Sequence, residues 1–319
     1  MRIAVDAMGG DHAPQEVVIG TVQAINSRDD IEAILVGDQD AIETELKKLS
    51  WPTDRISICH TSQVVEMNES PALALRKKKD SSIMAATLLV KKGLADAVVS
   101  CGNTGAQMSA AVFGWGRMEG IDRPAIGVLI PRNQGDTVLL DTGANVDAKP
   151  GQLIQFALMG KSYAEIIVGN NNPRVGLLGN GEEDTKGNQV SLAAFAQLKE
   201  IKSLNFVGNV EGRDLFSGIV DVVVCDGFFG NTIIKVLEGL ALTITERLAS
   251  NGIDVGHLLQ DFDYSQVGGA PLLGVDGVSV VCHGSSKRDA VYNGIIKAEK
   301  CVSAGLVARL KNSLSLYNS

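Results

Sequence analysis

The residues of this sequence best suited to chemistry are small and come in turns. Ser100-Cys101-Gly102-Asn103-Thr104-Gly105-Ala106 follows the apolar run Ala97-Val98-Val99 and opens a run of helix formers from Ala106 to Phe113. A strand, a tight turn and a helix start bring unpaired backbone N–H groups and the positive end of a helix dipole to one point, an arrangement that receives an anion. Gly102 and Gly105 let a ligand approach the backbone, while Asn103 and Thr104 offer side chains that either cap the helix or bind the ligand. An ordinary strand-to-helix turn has the same composition, so the weight lies in repetition. Turns of this character also follow apolar runs at Asp6-Ala7-Met8-Gly9-Gly10-Asp11-His12, Asp141-Thr142-Gly143-Ala144-Asn145, Gly179-Asn180-Gly181, Asp226-Gly227-Phe228-Phe229-Gly230-Asn231 and His283-Gly284-Ser285-Ser286.

Few strong nucleophiles or bases accompany these turns. His12 and His283 are candidate proton acceptors, and a structural hydrogen-bonding role fits a histidine at a strand end equally well. Lys186 follows Glu182, Glu183 and Asp184, acids that either orient the lysine or form a solvated loop with it. Asp6, Asp141 and Asp226 stand at strand ends, where carboxylates fix turns and cap helices. Gly160-Lys161-Ser162 resembles the end of a phosphate-binding loop, but Gln155 stands where that loop needs glycine and no strand precedes it. Neither a dinucleotide fingerprint after the first strand, nor H-E-x-x-H, nor a G-x-S-x-G elbow is present, and Ser285-Ser286 before Lys287 reads as helix capping. The inventory suits direct transfer between two bound substrates, one of them an anion, better than covalent catalysis.

The elements that must position these turns read as alternating strands and helices. Arg2 to Asp6, Ile31 to Val36 and Ile56 to Cys59 are strands separated by helices, a βαβαβ start that predicts a largely parallel sheet covered on both faces. Ser70 to Lys79 and Ser82 to Lys92 read as helices, the first ending in Arg76-Lys77-Lys78-Lys79, a solvated helix end or a docking patch. Ala125 to Ile130 and Thr137 to Asp141 form a hairpin, so the sheet is mixed there. A helix from Pro150 to Ile167, a strand Val175 to Leu178 and a helix Val190 to Lys199 follow. The strands Asn205 to Val207 and Val220 to Cys225 come next. Ile233 to Leu248 is apolar on nearly every face, the pattern of a helix buried between elements or across a subunit interface. The strand Val278 to Cys282 and one closing helix, Ala290 to Leu310, complete the chain.

The 319 residues, 45% hydrophobic and 4% aromatic, suit one large α/β domain or two small ones, and a net charge of −8 gives no general attraction for nucleic acid. Against that charge, Arg76 to Lys79 is the most evident place for an acidic partner. Five cysteines without C-x-x-C or zinc-ligand spacing read as reduced thiols and point to the cytoplasm; the first residues enter a strand with no signal-peptide pattern.

Taken together the motifs resemble the PlsX-type phosphate acyltransferases. The stretches that carry the resemblance run in family order: Val5 to Pro14, Ser100 to Ala106, Gly120 to Ala125, Asp141 to Asp147, Gly208-Asn209-Val210-Glu211, Asp226 to Asn231 and His283 to Ser286. The resemblance implies transfer of a fatty acyl group from acyl carrier protein to inorganic phosphate, giving acyl phosphate for bacterial phospholipid synthesis. It implies a homodimer with a three-layer α/β/α fold similar to phosphotransacetylases and the isocitrate/isopropylmalate dehydrogenases, with neither cofactor nor metal. The whole chain is then one acyltransferase domain with a short helical arm near residues 240–265. Joined to the inventory above, it places phosphate among the N–H groups of Gly102 to Gly105 and Gly143 to Asn145, held also by Lys186 and His283, with Asn103 or backbone N–H groups facing the oxyanion. Gly9, Gly10, Asp11, Thr104, Ala144, Asn180, Gly181, Asp226, Asn231 and Ser285 complete the expected substrate contacts. Carrier protein docks on Arg76, Lys77, Lys78 and Lys79, and Phe228, Phe229 and the Ile233 to Leu248 helix are candidates to line an acyl channel.

Two departures from the family pattern stand out. The family asparagine after Leu177-Leu178 is displaced by one position, to Asn180. The arm is short and carries Glu246, Asp254, Asp261 and Asp263, which weakens the peripheral attachment to the inner face of the membrane that the resemblance implies. A coenzyme A thioester as donor, or a non-catalytic anion-binding protein, are the competing readings of the same turns.

Overall fold

The computed structural model describes residues 1–253 and 268–318. In chain order the strands are β1 (Arg2–Asp6), β2 (Glu32–Gly37), β3 (Ile56–His60), β4 (Ala97–Ser100), β5 (Ala125–Pro131), β6 (Asp136–Leu140), β7 (Val175–Leu178), β8 (Phe206–Val210), β9 (Val222–Val224), β10 (Ala270–Leu273) and β11 (Val278–Val281). The helices are α1 (Gln15–Ser27), α2 (Gln39–Leu46), α3 (Pro71–Lys77), α4 (Ser82–Lys91), α5 (Thr104–Gly114), α6 (Pro150–Tyr163), α7 (Gln189–Glu200), α8 (Asp214–Ser217), α9 (Gly227–Ala249), α10 (Arg288–Ser303) and α11 (Leu306–Asn318). The described residues divide into two compact units, one of residues 1–116 and 268–303, the other of residues 117–253 and 304–318.

In the first unit the strands run in the order β3-β2-β1-β4-β11-β10. All pair in parallel except β10, which returns antiparallel to β11. Alternation along the strands divides the core in two, as strand geometry requires. Ala4, Ile34, Val36 and Val98 pack against Leu75, Ile83, Ala86, Ala106 and Ala110 of α3, α4 and α5. From the other face Val99 meets α10 at Gly294, where an added Cβ would stand 3.3 Å from its methyl. Both faces of the sheet are therefore covered by helices, and runs such as Ala97-Val98-Val99 are apolar throughout.

In the second unit the order is β5-β6-β9-β7-β8, with the predicted hairpin β5–β6 antiparallel and the remaining pairs parallel. Helix α6 lies on this sheet with Phe156, Met159 and Tyr163 fully buried, and continues through a π turn, Ala164–Val168. Gly160 lets α6 approach closely, since a Cβ there would stand 2.6 Å from Val222 Cγ1. The carboxylate of Asp221, before β9, ties the sheet edge together. It accepts Arg132 Nη2 at 2.9 Å and both Nε and Nη2 of Arg174 at 2.9 Å, and these guanidiniums hold it well below the usual carboxylate range.

The sequence expectations differ from these elements in three places. Strand β10 follows weakly patterned sequence and was not expected there. The single closing helix is two, α10 and α11, broken at Gly305 with φ 64°. The turn expected over Asp226 to Asn231 is the cap and first turn of α9, because Asp226 accepts the Phe229 amide at 2.9 Å and starts the helix at Gly227. Of the expected arm, residues 254–265 lie outside the described residues, as do Asp254, Asp261 and Asp263.

A carboxylate clamp joins α1 to α10 in the first unit. Glu16 accepts the Arg288 amide and Nε at 2.9 Å and Nη2 at 2.6 Å, which lowers its pKa from 4.5 to about 2. Folding thus gains from ionised Glu16 above its unfolded pKa and loses that gain as pH falls toward the folded value. Arg288 is 44% exposed and screened, so Glu16→Gln is expected to cost about 1 kcal/mol at neutral pH. Chemical denaturation at several pH values checks this: the deficit is full above about 4.5 and shrinks to nothing as pH approaches 2.

Candidate functional site

In the first unit the strand ends β1, β4 and β11 present three turns that pack on one another. Asp6, at the end of β1, is buried, and burial pushes its carboxyl above the ordinary 3.8 against hydrogen bonds that include Ser82, Ser100 and Met8. Its Oδ2 accepts the Ser100 hydroxyl at 2.7 Å, and that hydroxyl oxygen accepts the Gly102 amide at 3.0 Å. The carboxylate thereby orients the turn that follows β4. Gly9 and Gly10 lie against the same turn: a Cβ on Gly9 would stand 2.8 Å from the Gly102 nitrogen, and one on Gly10 2.9 Å from Cys101 Cβ. Gly10 also has φ 104°, a conformation side chains rarely adopt. The Asp11 amide donates to the Gly284 carbonyl at 2.8 Å and brings in the third turn. Gly9, Gly10, Asp11, Gly102 and the His283 to Ser286 turn, separated in sequence, are neighbours here.

Asn103 is a structural hub. Its Oδ1 caps α5 by accepting the Ala106 amide at 3.0 Å, and its Nδ2 donates to the carbonyls of Glu66, Met67 and Glu69 at 3.0 to 3.3 Å. The side chain expected to face an oxyanion is spent on capping and on holding residues 66–69. Among the described residues, the Thr104 and Gly105 amides in the first turn of α5 meet no acceptor. Pro71 packs on Gly105, where a Cβ would stand 2.6 Å from its ring. His283 Nδ1 accepts the Ser285 amide at 3.2 Å and lies 2.7 Å from the Ser285 hydroxyl. With Nδ1 accepting that amide, a neutral His283 carries its proton on Nε2. His12 is exposed just before α1.

The cationic cluster is smaller than its sequence. Lys78 turns inward, its ammonium 2.5 Å from Glu69 Oε2 and 2.6 Å from the Val64 carbonyl, and closes the loop before α3. Arg76, Lys77 and Lys79 are exposed.

In the second unit the turn after β6 is already filled. Asp141 is fully buried; its Oδ1 accepts the amides of Ile126, Gly143 and Ala144 at 3.0 to 3.3 Å, and its Oδ2 the Asn145 amide at 2.7 Å and Nδ2 at 2.9 Å. The N–H groups expected to cradle phosphate converge on the protein's own carboxylate instead. An acceptor-only carboxylate satisfies all five donors. Helix α9 then docks on this turn by its backbone. The Gly227 amide donates to the Asn145 carbonyl at 2.7 Å, and a Cβ on Gly230 would collide with the Asp141 carbonyl oxygen. Gly227 and Gly230, one helical turn apart, share this face, and Asn231 lies beside Gly143. Phe228 and Phe229 are turned outward, 58% and 50% exposed.

Among the described residues, the loop after β7 gives Lys186 no counter-ion. Glu182 pairs with Arg213 at 3.1 Å and Asp184 with Lys199 at 2.9 Å, while the Glu183 carbonyl accepts the Lys186 amide at 3.0 Å. Among the described residues no carboxylate lies within ion-pair distance of the exposed Lys186 ammonium. Two of the three acids that sequence placed beside the lysine, Glu182 and Asp184, are drawn away by other cations. Asn209, buried on β8, holds the loop from below, its Nδ2 donating to the carbonyls of Glu183 at 2.8 Å and Lys186 at 3.4 Å. The sequence analysis missed this positioning residue, although the motif Gly208 to Glu211 contains it. Gly179 carries the displacement noted above: a Cβ there would stand 3.3 Å from the Gly181 carbonyl oxygen, whereas Asn180 is exposed.

Beside the Lys186 loop lies a cavity of about 500 Å³ within this unit. Its floor is apolar, with Leu153, Leu177 and Cys225 each at most 4% exposed, and Val190, Phe229 and Ile233 form walls. Asn180, Asn188 and Asp226 stand at its polar rim. Composition gave no hint of this cavity, because its floor comes from three elements distant in sequence.

Residues 1–309 match the family model described as fatty acid synthesis protein. The chain is 52% identical over 316 residues, 99% of each chain, to a phosphate acyltransferase of Syntrophomonas wolfei subsp. wolfei. It is 47% identical over 330 residues, again 99% of each, to one of Halothermothrix orenii. Among solved structures, a phosphotransacetylase from Streptococcus pyogenes aligns with TM-score 0.65 at 18% identity, covering 95% of this chain and 94% of that one. A 4-hydroxythreonine-4-phosphate dehydrogenase from Klebsiella pneumoniae aligns with TM-score 0.53 at 13% identity over 98% of both chains. These two show the fold, an α/β architecture with a mixed, mostly parallel sheet shared with the phosphotransacetylases and that dehydrogenase.

The glycine docking of α9 is directly testable. Gly230→Ala forces a methyl into the Asp141 carbonyl and is expected to cost at least about 2 kcal/mol in denaturant unfolding. Gly239→Ala on the same helix meets nothing within 4 Å and is expected to gain about 0.5–1 kcal/mol.

Proposed function

Since the chain belongs to the fatty acid synthesis protein family and is a phosphate acyltransferase, we propose that its acyl donor is a fatty acyl group on acyl carrier protein. The product, acyl phosphate, then feeds phosphatidic acid synthesis. The observation that carries the site assignment is Lys186. It is an exposed cation with no carboxylate within ion-pair distance among the described residues, in a loop whose next residues, Gly187 and Asn188, line a cavity with an apolar floor.

The proposed chemistry is one displacement. A phosphate oxygen attacks the thioester carbonyl carbon and forms a new C–O bond, its P–O bond staying intact, and the C–S bond breaks as the tetrahedral intermediate collapses to acyl phosphate and thiolate. The leaving thiol has a pKa of about 8.5, so its thiolate departs without a strong general acid. Lys186 holds the phosphate anion and neutralises charge as it develops, with Asn180, Gly181, Asp226 and Asn231 as the neighbouring contacts. Asp141 occupies the amides of Gly143, Ala144 and Asn145, so these shape the turn and are not assigned to phosphate. Taken by itself, the first unit offers an anion contact of its own, the unclaimed Thr104 and Gly105 amides in the turn shaped by Gly9, Gly10, Asp11 and Gly102. His12 is the proton acceptor in this reading. His283, oriented by Ser285, is a donor because Nδ1 is already taken.

Carrier protein is acidic in this proposal, and Arg76, Lys77 and Lys79 receive it. The enzyme is read as one acyltransferase domain made of two compact units, working in the cytoplasm as a homodimer with weak attachment at the inner membrane face. Helix α9 supports the last two points. Within Gly227–Ser250 its most apolar 18-residue window has mean hydropathy 1.3 with 22% buried, long and apolar enough to cross a membrane, and Val236, Leu240 and Leu242 are more than half exposed. An apolar helix so exposed needs a cover.

Release of carrier-protein thiol from a long-chain acyl carrier protein, with and without phosphate and with hydroxylamine trapping of acyl phosphate, tests the donor. Phosphate-dependent release supports the proposal, and turnover only with acyl coenzyme A overturns the donor assignment. Lys186→Ala is expected to keep the fold and lower kcat/KM at least about tenfold, or 1.4 kcal/mol. Reversal of Arg76, Lys77 and Lys79 to glutamate is expected to raise KM for acyl carrier protein about tenfold with little change in kcat, read by steady-state kinetics.

A further inference from the structure

We propose that the cavity beside the Lys186 loop receives the alkyl tail of the acyl group, and that Leu153 on its floor sets the longest tail accepted. This rests on the acyltransferase reading above. Polarity across the cavity is what an amphiphile requires. Gly187 and Asn188, directly after Lys186, line it, and the Lys186 stem lies on Gly181, where a Cβ would stand 2.9 Å from Lys186 Cγ. The lining therefore starts at residues directly after a cation, while its most buried members, Leu153, Leu177 and Cys225, offer hydrocarbon and a thiol. Cys225 at the floor is an inert thiol, since burial pushes its pKa well above 9.0. Among the floor residues, Leu177 is fixed in the parallel ladder of β7 and Cys225 follows β9 against the Asp141 turn. Leu153 comes instead from α6, and its side chain closes the floor from outside the sheet. A larger side chain at 153 shortens the cavity without disturbing strand register. The floor discriminates by methylenes, each worth roughly tenfold or more in a well-fitted apolar pocket.

Two measurements on the full chain test the proposal. In the first, kcat/KM is measured for octanoyl, dodecanoyl and hexadecanoyl donors on the same carrier. Leu153→Phe is expected to lower the hexadecanoyl-to-octanoyl ratio at least about tenfold. Should that variant fail to fold, Ile233→Trp on the half-buried wall is expected to move the ratio in the same direction. In the second, octylphosphonate and hexadecylphosphonate are titrated calorimetrically into unreacted enzyme, and the longer tail is expected to bind at least about tenfold tighter. A folded variant with an unchanged ratio, or equal affinity for the two phosphonates, overturns the tail assignment while leaving the acyltransferase reading intact. Absence of turnover with every donor in the wild-type protein would instead overturn that underlying reading.

Discussion

The buried carboxylate at a strand end is the constraint on which both units depend. Asp6 orients the turn after β4 through the Ser100 hydroxyl, and Asp141 gathers five N–H groups of its own unit. Each carboxylate stands where a parallel strand stops and its backbone polar groups lose their ladder partners. Taking such a group out of water costs several kcal/mol unless donors surround it. The donors here come from glycine-rich turns, the only sequences that can bend close enough to reach. Chain geometry and charge burial therefore specify one another: Gly9, Gly102 and Gly230 are small because the backbone they admit carries those hydrogen bonds.

That arrangement redirects the chemistry. A turn full of N–H groups is an anion site only while those groups are unclaimed, and after β6 the protein supplies the anion itself. What stays unclaimed among the described residues of the second unit is the Lys186 ammonium, beside a cavity with a polar rim. Arg213 and Lys199 take Glu182 and Asp184 from beside Lys186, and Asn209 fixes the loop backbone from beneath. Charge balance in this loop is a matter of partner choice, which local sequence does not reveal.

The same logic applies to the cationic run after α3. Four consecutive basic residues cannot share one helical face, and Lys78 is the one that turns inward to Glu69. The others stay in solvent, in a chain of net charge −8 where a local positive patch has few rivals. Helix α9 poses the complementary case. Its cap and two glycines bind it to the Asp141 turn at one end, and farther along Val236, Leu240 and Leu242 are more than half exposed.

Much of this was legible beforehand. Unbroken apolar runs and their turns marked all strands but β10, because a parallel strand buried on both faces is apolar on both. The strand-end aspartates read correctly as turn fixers and caps, since the chemistry of a short carboxylate next to glycine is local. Motif order from Val5 to Ser286 named the family. Fold class, family and the identity of the turns were thus determined by sequence alone, because each rests on residues near one another in the chain. Tertiary structure decided which N–H groups are already spent, which lysine is left unpaired, that Asn209 supports it, and that Leu153, Leu177 and Cys225 meet under one cavity. Those are properties of partners brought together from distant segments, and a hydrogen bond or ion pair exists only once both partners have been placed.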